Sequence, residues 1–341
     1  MNHPVDTNNL RQVILETPEQ FAAGFELSRH IKPHGTFDTL VFSGMGGSAL
    51  PADLLRTYLD DIAQRFPESQ PITILQNRTY GLPAHRPGTA LHFVCSYSGN
   101  TEETLETLSA LIAQQAPVIG VSSGGQVEVL CQAQGIPHIK LPIPNPTFQP
   151  RMGTGYFIGA FLQVLMNLGC IPDVRAEVID AAERYGKKSL EIEEKAKKLA
   201  TSLAKSTPIV YSGESYKSVA LVWKIKLNEN AKTPAFWNVF PELNHNEMVG
   251  WTLPQGRFSA LFLRDPDDHP RIVKRFAITA ELLREKGIAV EIIDMEGETV
   301  FEKMFSSVML GDFTSYYLAL EYGQDPTPVD MVEKLKKLLT L

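Results

Sequence analysis

The stretch VFSGMGGSAL at residues 41–50 decides the fold expected for this chain. It begins as a short apolar run, continues into glycines and a serine, and leads into an amphipathic helical pattern. Two later stretches follow the same plan, VCSYSGNTEET at residues 94–104 and VYSGESYKSVA at residues 210–220. Each predicts a strand that ends where a helix begins, which is the edge at which open α/β sheets bind ligands.

Short apolar runs alternate with helical patterns on both sides of these stretches, which predicts βαβ units. The cycle runs twice, with a break near residues 170–200. We therefore expect an α/β protein of two doubly wound domains, at residues 1–175 and 176–341, each a mainly parallel sheet flanked by helices. Strands are expected at residues 39–42, 72–75, 92–95, 118–121, around 139, 208–211, 261–263 and 290–293. Helices are expected at residues 19–30, 54–58, 156–170, once or twice within 177–205, around 282–283 and at 329–339.

Composition limits the possible classes of function. The 341 residues are 43% hydrophobic and 21% charged, which suits globular domains with a real core. The net charge of -7 provides no basic field, so neither nucleic acid nor an acidic membrane surface is expected as a partner. No signal peptide, bilayer-length apolar run or metal-like cysteine spacing is visible. We expect a cytoplasmic protein with reduced thiols.

Glycines and hydroxyls at the first two strand ends predict an anion site. The candidate phosphate ligands are Gly47, Ser48, Ser96, Ser98 and Thr101. Helix N-termini offer free N–H groups, hydroxyls add donors, and glycine allows the backbone to approach closely. GMGGSA also fits a dinucleotide pattern, but the next strand lacks the acidic residue that would hold a ribose, and no P-loop lysine follows. Simple helix capping is the plainer alternative.

The two motifs together resemble the phosphosugar-binding loops of the SIS (sugar isomerase) domain superfamily, in which S-x-S-x-x-T hydroxyls hold the sugar phosphate. The segments LNENAKTPAFWNVFPELNHNEMVGW (227–251), PRMGTGY (150–156) and DPTPVDMVEKLKKL (325–338) are similar to the bifunctional phosphoglucose/phosphomannose isomerase family. The resemblance covers about residues 41–339. It implies an aldose–ketose isomerase that converts glucose 6-phosphate, and also mannose 6-phosphate, into fructose 6-phosphate and back.

The resemblance also implies roles for individual side chains. Glu229, in the N-E-N context, matches the family's base, and Arg151 matches the arginine of P-R-M-G-T-G. His245, in E-L-N-H-N-E, matches the ring-opening histidine. Family members are dimers in which this histidine reaches the site of the partner subunit. The resemblance therefore implies a homodimer whose only other partners are small sugar phosphates.

Lys336 matches a lysine near the family's C-terminus, although Lys334 and Lys337 lie beside it. The apolar residues that predict the buried side of this last helix are Val332, Leu335 and Leu339. Lys336 would then lie at the edge of the buried stripe.

These residue types suit an isomerisation that opens the sugar ring and moves a proton between C2 and C1 through a cis-enediol. An imidazole and an ammonium group suit ring opening near neutral pH. One carboxylate can accept the proton at one carbon and return it at the other. A guanidinium group stays charged beside the developing enediolate oxygen. No step requires a metal or a redox cofactor, so we expect neither.

Other functions stay open on the sequence alone. The run E-L-x-H also resembles the isomerase half of glucosamine 6-phosphate synthase, and a fructosamine-type deglycase would use similar loops. A non-catalytic phosphosugar sensor would carry a DNA-binding helix-turn-helix, whereas only about forty residues precede the first strand here. Use of mannose requires space for rotation about C2–C3, to which Thr327 is a candidate contributor.

Overall fold

The computed structural model describes residues 3–68, 71–83 and 90–339. It contains two compact units. The N-terminal unit runs from Glu16 to Glu183, and the C-terminal unit combines the described residues up to Leu15 with those from Arg184 onward. The boundary expected between residues 175 and 176 stays a prediction, because packing units need not share their ends with sequence-defined domains.

The N-terminal unit contains a five-stranded sheet. Its strands are β1 (Thr39–Gly44), β2 (Thr73–Asn77), β3 (Ala90–Cys95), β4 (Val118–Ser122) and β5 (His138–Lys140). Their order is β2-β1-β3-β4-β5, and every pairing is parallel. Helix α1 (Leu10–Leu15) precedes this unit; the helices that begin within it are α2 (Gln20–Leu27), α3 (Leu50–Arg65), α4 (Glu102–Ala113), α5 (Gly125–Gln134), α6 (Thr154–Asn167) and α7 (Arg175–Lys187).

Aromatic side chains join the sheet to α6 in the core of this unit. The rings of Phe42 on β1 and Phe93 on β3 stack with their centroids 4.8 Å apart, and the ring of Phe161 on α6 lies 4.8 Å from that of Phe42. All three side chains are buried. Aromatic pairs of this geometry stabilise a core beyond the area that they bury. The apolar helix predicted across residues 156–170 is thus confirmed.

The C-terminal unit is built on a four-stranded sheet. Its strands are β6 (Thr207–Gly213), β7 (Phe236–Phe240), β8 (Phe258–Arg264) and β9 (Ala289–Asp294). Their order is β7-β6-β8-β9, again with parallel pairings throughout. The remaining helices are α8 (Ser189–Leu203), α9 (Lys217–Glu229), α10 (Glu247–Gly250), α11 (Pro270–Glu285), α12 (Val300–Glu321) and α13 (Asp330–Leu339).

The predicted class, α/β with two parallel sheets flanked by helices, is confirmed, and the charged stretch at 177–205 holds two helices, α7 and α8. Strand β7 and helix α12 were not predicted. Most of the 22 residues of α12 are buried, so its apolar residues do not form the one-sided stripe that identifies a surface helix. Within the described ranges, no helix is long and apolar enough to cross a membrane.

The expectation that α13 has a buried side is wrong. Every described residue of this helix is exposed, including Val332 at 46%, Leu335 at 56% and Leu339 at 65%. The spacing of apolar residues shows only that a helix has an apolar face. Burial also requires a surface that covers the face, and no described residue of this chain provides one.

Candidate active site

The two predicted phosphate loops lie side by side in the N-terminal unit. Strands β1 and β3 are neighbours, with Gly44 paired to Cys95 at their carboxyl ends. The loop after β1 forms a short 3₁₀ turn at Gly46–Ser48 before α3, and the loop after β3 leads into α4. Both loops therefore end at N-termini of helices on the same edge of the sheet, where backbone N–H groups favour an anion.

The loop hydroxyls form a small network. The hydroxyl oxygens of Ser96 and Thr101 lie 2.8 Å apart, and the Thr101 N–H donates to the Ser96 hydroxyl at 3.4 Å. The Tyr97 N–H donates to the Ser48 hydroxyl at 2.9 Å, which connects the two loops. Ser98 is exposed, and its hydroxyl accepts the N–H of Asn100. These donors can turn to an incoming phosphate by exchanging one partner for another.

Glycine is required at two positions of these loops. A Cβ on Gly47 would lie 2.5 Å from the backbone nitrogen of Arg151. Gly99 has a φ of +72°, and a Cβ there would lie 1.8 Å from the carbonyl oxygen of Gly124. The loops can therefore come this close to the backbone of neighbouring segments only without side chains.

Arg151 belongs to the 3₁₀ turn at Pro150–Met152, whose backbone touches Gly47. The residue is only 1% exposed, and one Nη1–H donates to the Oε1 atom of Gln149 at 3.2 Å. A buried guanidinium keeps its charge, and the backbone of the same residue lies against the first predicted phosphate loop. The structure thus brings together Gly47, Ser48, Ser96, Ser98, Thr101 and Arg151.

Glu229 is the last residue of α9 in the C-terminal unit and is half-buried. Its helix is held by a buried ion pair, with Lys226 Nζ 2.6 Å from Asp312 Oδ1 on α12. The next residue, Asn230, donates from Nδ2 to the Ser315 hydroxyl at 2.9 Å. These two contacts on either side of Glu229 fix where the end of the helix lies.

Lys232 connects Glu229 to the DPTPV segment. Its ammonium group donates to the carbonyl oxygens of Glu229, Pro326 and Pro328. Thr327, between the two prolines, is 4% exposed. The segment that holds Thr327 therefore lies beside Glu229. The contacts of Lys232 could not be predicted from the sequence, because its backbone φ of +57° is not visible there.

His245 follows β7 and lies at the surface. Its N–H donates to the carbonyl oxygen of Glu242 at 2.9 Å, whereas its imidazole has no hydrogen-bond partner among the residues that the structure describes. Two carboxylates near it in sequence bond to other residues: Glu242 accepts from Asn246 at 2.7 Å, and Glu247 accepts from Tyr211. Burial, together with Glu247, raises the pKa of Tyr211, so this phenol stays a donor.

Lys336 lies on the exposed helix α13, where its Nζ is 2.7 Å from the Oε1 atom of Glu333. Its side chain is 64% exposed, and its assignment to the site stays a prediction. Over residues 3–68, 71–83 and 90–339, no three His, Cys, Asp or Glu side chains form a group that could hold a metal ion.

Comparison with known proteins agrees with this architecture. A family model described as the bacterial phospho-glucose isomerase C-terminal SIS domain matches residues 192–339. The crystal structure of tagatose-6-phosphate ketose/aldose isomerase from Escherichia coli superposes with a TM-score of 0.68 at 16% identity, over 96% of this chain and 97% of that one. The fold is thus that of the SIS-type phosphosugar isomerases.

Two full-length relatives define the family. The bifunctional phosphoglucose/phosphomannose isomerase of Caldicellulosiruptor bescii is 35% identical over 341 residues, or 96% of this chain and 97% of the relative. That of Aquifex aeolicus is 31% identical over 328 residues, or 96% of this chain and 98% of the relative. The chain belongs to the bifunctional phosphoglucose/phosphomannose isomerase family.

Proposed function

We propose that this protein interconverts glucose 6-phosphate and mannose 6-phosphate with fructose 6-phosphate by ring opening and a cis-enediol proton transfer. The observation that carries the proposal is the 35% identity to a bifunctional isomerase over nearly the whole chain. The paired hydroxyl loops of the N-terminal unit support it, because they suit the phosphate that all three substrates share. A metabolic enzyme of this kind would act in the cytoplasm.

The phosphate would be held by Gly47, Ser48, Ser96, Ser98 and Thr101. The Ser96 and Thr101 hydroxyls now bond to each other, so each can give up that partner for a phosphate oxygen. A hydrogen bond to a charged group contributes about 1.5–3 kcal/mol, more than the neutral bond that it replaces. The exchange therefore favours the bound phosphate.

Glu229 would act as the base that moves the proton between C2 and C1. It is half-buried, and its helix is fixed by contacts on either side of it, so the carboxylate is presented from a rigid support. Arg151 would stabilise the enediolate oxygen, because its guanidinium stays charged throughout the reaction. Placement on rigid elements matters, since small displacements cost much of the rate.

His245 and Lys336 would open the sugar ring, with His245 supplied by the partner subunit of a homodimer. The exposed imidazole supports this, and so do two apolar side chains that follow it, Val249 at 70% and Leu253 at 73% exposure. An apolar surface beside an exposed histidine is typical of an interface. Mannose use would depend in part on Thr327, which lies on the segment beside Glu229.

The first experiment measures fructose 6-phosphate formation from each aldose with a chelator present. We expect both sugars to react, and Glu229→Gln to lose about 10²–10⁴-fold in kcat, the usual value of a general base. Glu285→Gln is the control, since Glu285 is an exposed carboxylate that also ends a helix. If neither sugar phosphate reacts while both raise the melting temperature, the chain binds phosphosugars without this chemistry.

A mixing experiment tests the origin of the histidine. His245→Ala and Glu229→Gln are each expected to be nearly inactive, but their mixed dimers would contain one intact site. Random exchange of subunits would then restore about a quarter of the wild-type activity. If mixing restores nothing although the mixed dimers form, His245 acts within its own chain. A monomer with full activity would contradict the dimer itself.

A further inference from the structure

A cavity of about 470 Å³ lies in the C-terminal unit beside the segment that carries His245. One wall is the α11 face that bears Arg271, Lys274 and Arg275, and the other wall includes Asn244. Residues at positions i, i+3 and i+4 of a helix share one face, so the three cations point the same way. The volume is in the range of small-molecule sites.

None of these three cations forms an ion pair with any carboxylate in the described part of the chain. Two half-buried arginines of the same unit do have such partners: Arg264 pairs with Asp294 and Arg184 pairs with Glu302. Like charges three and four residues apart destabilise a helix. A protein with a net charge of -7 has enough carboxylates to neutralise them, yet no described one lies within ion-pair distance.

Neutral groups of both walls are arranged around the cations. Arg275 donates from Nη1 to Asn244 Oδ1 at 3.1 Å, and Asn244 Nδ2 donates to the Thr279 hydroxyl at 2.9 Å. The hydroxyl of Thr279 keeps its own proton for another acceptor. Arg275 uses one of its five N–H groups in this contact, and the others are available to a ligand. The wall is therefore rich in hydrogen-bond donors.

We propose that this cavity is a second anion site, distinct from the phosphate loops of the N-terminal unit, and that it binds a small phosphorylated metabolite. The charge decides the class of ligand: a carboxylate brings one negative charge, whereas a phosphate monoester brings about 1.5–2 at pH 7 and three acceptor oxygens. Arginine also matches phosphate oxygens with two parallel N–H donors. The space beyond one phosphate leaves room for the rest of the metabolite.

Binding at this site would act on His245. Asn244 precedes the histidine directly, and its side chain bonds to Arg275, which would also contact the ligand. An anion bound to Arg275 would thus change the hydrogen bond between Arg275 and Asn244, and with it the position of the segment that carries His245. The binding of the anion does not depend on the proposed isomerase activity, and the two can be tested separately.

The test uses calorimetry with inorganic pyrophosphate at about 10 mM salt, where the Debye length of about 30 Å leaves exposed charges unscreened. The background variant is Ser96→Ala with Thr101→Val, which weakens anion binding by the N-terminal loops. In this background we expect one pyrophosphate per chain. Adding Arg271→Gln, Lys274→Gln and Arg275→Gln should lower the affinity for pyrophosphate by about a hundredfold or more, since several charge-assisted hydrogen bonds are lost.

A matched triple variant, Lys198→Gln with Lys205→Gln and Lys286→Gln, removes the same charge from exposed positions and should bind within about threefold of the background. Arg271→Gln alone leaves the contact between Arg275 and Asn244 intact and should lower the affinity for pyrophosphate about tenfold. Equal binding by the two triple variants, or no binding in the background, would overturn the proposal. So would a change of sedimentation coefficient in the α11 triple variant, because the cations would then contact a second copy of the chain.

Discussion

Replacement of Lys226 by methionine tests how α9 is held. The Lys226 ammonium and the Asp312 carboxylate lie 2.6 Å apart, with side chains only 2% and 4% exposed. Lys226→Met keeps most of the aliphatic volume and removes the charge, so Asp312 is left buried without its counter-ion. The carboxylate also lies near Tyr185, whose pKa is raised by burial and then by Asp312.

Breaking one side of a buried ion pair costs about 3–5 kcal/mol, because the remaining charge has lost its solvation and its partner. At about 2–4 °C per kcal/mol for a unit of this size, the melting temperature should fall by about 6–20 °C. The double variant Lys226→Met with Asp312→Leu removes both desolvated charges, and such replacements are often neutral or stabilising by about 1–4 kcal/mol. The two changes should therefore be strongly non-additive.

Urea denaturation followed by tryptophan fluorescence measures this directly, since all three tryptophans, Trp223, Trp237 and Trp251, lie in the C-terminal unit. Arg264→Met is the control, because the pair of Arg264 with Asp294 is exposed and should contribute at most about 1 kcal/mol. A loss of stability in Lys226→Met as small as that of the control would refute this role of the ion pair. So would a double variant as unstable as the sum of its single changes.

Two further predictions concern the N-terminal unit. Gly47→Ala would place a Cβ 2.5 Å from the Arg151 nitrogen, so we expect it to lower the free energy of unfolding by about 1–3 kcal/mol and to weaken sugar-phosphate binding in thermal shift assays. Gly46→Asn is the tolerated control, because Gly46 has open space around it and a φ of +50°; equal losses in both variants would contradict the steric argument. Burial lowers the pKa of His138 below its ordinary 6.5, with its Nε2 atom 2.8 Å from the Ser122 hydroxyl. As the pH falls, the imidazole of His138 is therefore protonated first in the unfolded chain, so the free energy of unfolding should decrease as the pH drops from 7 to 5. Chemical denaturation followed by circular dichroism should show a smaller decrease for His138→Asn. The same pH dependence in this variant would exclude His138 as the cause.

The parallel sheets could be predicted because the sequences of buried parallel strands are short, continuous apolar runs. The run at residues 41–50 shows the whole βα transition, and the structure places β1 and the turn at Gly46–Ser48 there. Adjacency of the two phosphate loops follows, since neighbouring parallel strands end at the same edge of a sheet. The roles of the individual hydroxyls stay predictions, as do those of Glu229, His245, Arg151 and Lys336.

Other features depend on tertiary contacts that periodicity does not encode. Strand β7 is partly exposed and begins at Phe236, which is 57% exposed, so it lacks the pattern of a buried strand. Helix α12 is buried on nearly all sides. The opposite holds at α13, where an apolar stripe predicts a buried side and the helix is exposed. Periodicity describes the face of one element, and only the rest of the fold determines what covers it.

The membership of α1 in the C-terminal unit has a consequence for synthesis of the chain. Asp6 accepts a hydrogen bond from the Leu10 N–H at the start of α1 and another from the Tyr316 hydroxyl at 3.1 Å, across 310 residues of sequence. At about 5–20 residues per second, a ribosome makes the second partner about 15–60 s after the first. The N-terminal unit can fold during this interval, whereas α1, made before that unit, must wait for α12, made after it.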